Sequence, residues 1–134
     1  INYTIMIKKS IKAFSAKVTF GLEREYFSEN IDKKVIIQYL RNSQEELIKK
    51  KIYLSASIYE ATVVMSGQQE PHLVIGFINY PKFPLAEDVL KNEIEILTKN
   101  LMHEFQQNRV VIEYLDETIM FEKNIQLDPL IKRS

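Results

Sequence analysis

Residues 52–78 read IYLSASIYEATVVMSGQQEPHLVIGFI, and the reading of this stretch decides the fold. Ile52, Leu54, Ala56 and Ile58 alternate with Tyr53, Ser55, Ser57 and Tyr59, the period of two that puts one set on each face of a strand. Past Glu60 the apolar set becomes Ala61, Val63 and Met65, a phase shift that a β-bulge near Tyr59–Ala61 accounts for. Ser66-Gly67-Gln68-Gln69 supplies a turn. Leu73, Ile75 and Phe77 open the return strand, which Pro81 and Pro84 end. The stretch is a hairpin.

Helical spacing flanks it on both sides. Upstream, Ile31, Val35, Tyr39, Leu40 and Leu47 form a core-facing stripe over residues 30–50, with Ser28 or Asn30 as the cap. Ser43 followed by Glu46 is a capping-box pattern and predicts a break near Asn42. Downstream, Leu90, Ile94, Leu97, Leu101 and Phe105 mark a second helix over residues 86–106, with Asn108 as a left-handed residue at its end. Beyond the helices lie an alternating strand at 13–23 and an apolar strand from Arg109 to Leu115. Asp116-Glu117 then turns before Thr118–Phe121. The order β-α-β-β-α-β predicts an α+β sandwich: an antiparallel sheet of strand order 4-1-3-2 with both helices on one face.

The 134 residues fit one domain, its core at about 13–121 and an arm (1–12) and tail (122–134) at the periphery. Lysine plus arginine equals aspartate plus glutamate at 18 each, so no net field favours DNA, RNA or anionic lipid. No apolar run approaches a membrane span, and residues 1–9 lack the basic-then-apolar order of a signal peptide. With no cysteine and two histidines, neither a metal nor a cofactor is expected, and a reducing cytoplasmic location is compatible with the composition. Gly21, Gly67 and Gly76 are too dispersed for a phosphate-cradling loop, which excludes P-loop hydrolysis.

The predicted topology sets the end of the first strand beside the starts of the third and fourth. Arg24, His72 and Arg109 then meet near the N-terminus of the first helix, a combination suited to gripping an oxyanion. Tyr26 and Phe83 are aromatic candidates for stacking on the same ligand. The plainer account is a solvated surface where Arg24 pairs with Glu23 or Glu25, and Arg109 with Glu113. Tyr53, Ser55, Ser57 and Tyr59 read as packing residues before ligand contacts, and Glu60 as a solvated carboxylate before a general base. Val74, Ile78 and Val63 leave the helix-free sheet face apolar, which predicts a homodimer or a higher even-numbered assembly.

The element order resembles the ferredoxin-like superfold. More narrowly, Phe20-Gly21-Leu22 leading into a polar segment and a helix, and Phe105-Gln106 leading into Val110-Val111, resemble a bacterial family known only as a domain of unknown function. The resemblance covers about residues 13–121 and carries over no catalytic residue. On these grounds the expected role is a non-enzymatic oligomer that holds or sequesters a small anionic metabolite, for instance a nucleotide-derived signal. The alternatives are a small dimeric enzyme of monooxygenase or isomerase kind, and a protein–protein interaction module.

Overall fold

A computed structural model describes residues 4–23 and 30–123. Five strands and two helices follow in the order β1 (Ser15–Gly21), α1 (Lys33–Ile48), β2 (Ser55–Met65), β3 (Gln68–Ile78), α2 (Glu87–Glu104), β4 (Arg109–Tyr114) and β5 (Thr118–Glu122). They build one antiparallel sheet of order β2-β3-β1-β4-β5, so residues 16–19 of β1 pair with 111–114 of β4.

Period-two patterning makes one sheet face the core. Val18 and Phe20 on β1, Leu73 and Ile75 on β3, and Val110 and Ile112 on β4 are all nearly inaccessible. Both helices cover that face. Phe105, at the C-cap of α2, meets Phe20 edge-on at 5.8 Å and Tyr39 of α1 edge-on at 5.7 Å, tying the sheet to both helices. Within α1 the buried residues are Ile36 and Leu40, while Val35 is 53% exposed, so the stripe runs one position away from the expected one.

The helix boundaries correct the capping expectations. Asp32 caps α1, its carboxylate accepting from the Lys34 amide at 2.9 Å; Asn30 instead bridges to Glu23, and Ser28 lies outside the described residues. No break occurs at Asn42, because Ser43 Oγ donates back to the Tyr39 carbonyl at 3.0 Å inside a continuous helix. After α2 the left-handed residue is Gln106 (φ 52°), not Asn108.

The hairpin differs in one instructive way. Pairing runs unbroken from Ser55↔Ile78 to Met65↔Gln68 around a two-residue turn at Ser66-Gly67, both with positive φ. No bulge exists at Tyr59–Ala61. The shift of apolar phase is a change of face. Ala56 and Ile58 pack toward the helices, whereas Ala61, Val63 and Met65 point to the helix-free side, where the strand has outrun the helix layer.

At the α2–β4 seam, Tyr114 donates to Glu95 at 2.9 Å, and burial, then that hydrogen bond, push its phenol well above the usual tyrosine range. Lys91 lies over the same ring at 4.6 Å and pairs with Asp116 at 3.1 Å, which raises the lysine and lowers the aspartate. A phenol whose folded pKa exceeds its unfolded value of about 10 stabilises fully below that pH and loses the contribution as pH rises through it. Tyr114→Phe is therefore expected to shrink the stability lost between about pH 9 and pH 11, read by urea melts at both values. Burial raises Tyr39 too, so some alkaline sensitivity remains in the variant.

Candidate functional site

Where β1 ends and β3 and β4 begin, the helix-free face carries a concavity of about 400 Å³, within the range of small-molecule pockets. The pairing explains who lines it. Gly21 opposes His72, His72 opposes Ala61, Val63 opposes Glu70, and Val111 opposes Met120, so residues of all five strands line one side. Val63, Met65, Val111 and Met120 make the wall apolar and thioether-rich. Glu23 and Glu70 add carboxylates, and His72 and Arg109 add nitrogen donors.

Several of these groups are fixed by neighbours. His72 Nδ1 lies 3.2 Å from the Glu70 carbonyl, which can only accept, so that contact places a proton on Nδ1. Arg109 Nε donates to Glu122 Oε2 at 2.8 Å across the β4–β5 pair. Gln107, 5% exposed, donates through Nε2 to the Glu23 carbonyl at 2.8 Å and to the Phe105 carbonyl at 3.2 Å. A Cβ on Gly21 would stand 2.6 Å from Gln107 Oε1, so glycine is the residue that admits this amide.

The structure brings His72 and Arg109 to one pocket, as the strand order implies. Arg24 and Tyr26 lie outside the described residues. Phe83 does not join them. It stacks on Tyr53 at 4.4 Å, beside a smaller hollow that includes Ser55. His72 pairs with Ala61, six strand positions from Ser55, so at about 3.3 Å per residue Phe83's hollow lies about 20 Å along the strand from His72. Proximity in sequence to the end of β3 suggested Phe83 as a partner for His72, but the strand carries it to the far end of the sheet. Arg109 has its carboxylate partner in Glu122, rather than in Glu113, because β5 adds an edge strand beside β4.

Sequence reasoning missed Glu70, Gln107 and the two pocket methionines. Glu70 and Gln107 stand beside Pro71 and Asn108, where turn chemistry is the natural reading. Only the change of phase after Glu60 pointed to Val63 and Met65 as members of another face. Among the described residues no cluster of histidine, aspartate or glutamate has metal-binding geometry, and no helix is long and apolar enough to cross a membrane.

No family model and no curated protein matches the chain. Two solved structures share its fold: a phage SAM lyase in complex with S-methyl-5'-thioadenosine, 17% identical with a TM-score of 0.64, and a phage SAM lyase in the apo state, 17% identical with a TM-score of 0.67. Each comparison covers 92% of this chain and 100% of the other. This finding overturns the expectation of a non-enzymatic holder of a small anion: both neighbours are lyases, neither a sequestering protein nor an adaptor, and neither a monooxygenase nor an isomerase. At this identity the likeness shows the fold, an α+β sheet-and-helix architecture shared with lyase chains.

Proposed function

We propose that this chain is a lyase acting on S-adenosylmethionine and releasing S-methyl-5'-thioadenosine from the pocket on the helix-free face. The observation that carries the reading is the pocket's mixed lining. A sulfonium ligand is cationic and greasy at once, and Glu70 and Glu23 stand among Val63, Met65, Val111 and Met120 in a space of about 400 Å³. The fold shared with the phage lyases supports it. His72 and Arg109, on the same wall, suit the substrate's carboxylate.

The chemistry asks little of the protein beyond holding the substrate. The bond from sulfur to the amino-acid Cγ breaks, both electrons go to sulfur, and the sulfonium becomes a neutral thioether. The carbon left behind takes an electron pair from the substrate's own carboxylate, closing a lactone, or from the Cβ–H bond, giving an alkene and a proton. Either route destroys charge at sulfur, so an apolar wall favours it.

Incubating the purified protein with S-adenosylmethionine is expected to yield S-methyl-5'-thioadenosine, followed by chromatography and mass spectrometry, with the four-carbon co-product reporting the route. Recovery of S-adenosylmethionine unchanged would sink the proposal. The finer topological label, ferredoxin-like, a cytoplasmic location and self-association through the helix-free face belong to the same proposal. The last is supported by Met65 and Met120, each about half exposed on that face.

A further inference from the structure

We infer that Gln107 is the residue that selects an amine-bearing purine in the pocket, its Oε1 serving as a fixed acceptor for the exocyclic amine; the inference rests on the pocket's taking an adenosyl ligand. The amide cannot be read the other way round. Its nitrogen faces two backbone carbonyls, Glu23 at 2.8 Å and Phe105 at 3.2 Å, and a carbonyl only accepts. The orientation leaves Oε1 pointing outward, and no described residue donates to it. The residue is only 5% exposed, and among the described residues no fully buried polar side-chain atom lacks a partner, so Oε1 keeps its access at the pocket wall, where a ligand can reach it.

Gly21 shows where the oxygen points. Glycine stands on the helix-free face in the same register as Thr19, and the oxygen lies 2.6 Å from where a Cβ would project. Oε1 thus occupies the place of an outward side chain at the floor of the concavity, beside His72 on the next strand. An oxygen whose amide is anchored through Nε2 by two hydrogen bonds accepts from a ligand without reorganising. The exocyclic amine of adenine is the matching donor, because its planar, uncharged body lies against Val63 and Val111 without burying a further charge. An ammonium group would need more than one acceptor at this spot. A purine with a carbonyl in place of the amine would set oxygen against oxygen and leave both unpaired.

Isothermal titration with S-methyl-5'-thioadenosine and with its inosine counterpart, S-methyl-5'-thioinosine, tests this. The intact protein is expected to bind the adenine compound about tenfold or more tightly, the consequence of one unmade buried hydrogen bond. Gln107→Leu, which removes the acceptor, and Gly21→Ala, which displaces it, are each expected to bring the ratio close to one. A merely structural role for Gln107 would weaken both compounds equally and keep the ratio. Equal binding of the two compounds by the intact protein, or an unchanged ratio in either folded variant, overturns the assignment while lyase turnover stands. Failure of both compounds to bind, with no cleavage of S-adenosylmethionine, overturns the adenosyl reading and the assignment with it.

Discussion

Glu70→Gln is expected to lower kcat/KM for S-adenosylmethionine by about tenfold to a hundredfold, the loss associated with one charged contact. Glu70 projects from β3 opposite Val63 into the concavity, so a bound cation that displaces water there meets its charge at close range. The amide keeps the shape and removes the charge. Because Glu70 is half-buried and forms no ion pair among the described residues, the melting temperature should hardly move. Turnover measured at several substrate concentrations, beside a thermal melt, checks both halves. An unchanged kcat/KM would show that this carboxylate does not meet the sulfonium. A lowered value with a collapsed melt would show that Glu70 works for the fold.

Phe20→Ala should produce the largest loss of stability, about 3–5 kcal/mol, the usual range for deleting a fully buried aromatic ring. Phe20 is inaccessible and edge-on to Phe105, which in turn packs on Tyr39. Removing the ring opens a void where sheet, α1 and α2 converge. Against a total of about 5–15 kcal/mol for a domain, that is a large share. A urea melt reads the change, and a loss below about 1 kcal/mol would mean the core collapses around the gap. The pocket should feel it too, since the Phe105 carbonyl accepts from Gln107. Phe20→Leu, which keeps most of the volume, should recover much of the loss.

Element order and strand adjacency were legible because they rest on periodicity over many residues. Val18, Phe20, Ile94 and Leu101 each repeat a pattern that their neighbours confirm. Local ends were less so. Asp32, Asn30 and Ser28 are all good caps, and choosing among them depends on how the chain enters the helix. Ser43 with Glu46 fits a capping box, yet a hydroxyl in mid-helix has the Tyr39 carbonyl within reach. Half of the site followed from topology: His72 and Arg109 become neighbours once β3 and β4 flank β1. The other half did not. Gln107 reaches the pocket wall beside a residue that has no side chain, and no pattern of residue types announces that. Phe83 was misplaced because sequence nearness stood in for distance along a long strand.

The change of face within β2 divides the hairpin into two territories with separate tolerances. Substitutions at Ala56 and Ile58 meet the helix layer and should register as changes in folding. Those at Ala61, Val63 and Met65 meet the open side and should register as changes in what the pocket accepts. A saturation library across this one strand would then separate into abundance-limited and selectivity-altering variants, with the crossover falling near Glu60. A single β-strand would in that way let the chain drift toward new ligands at one end while its anchorage at the other stays under independent selection.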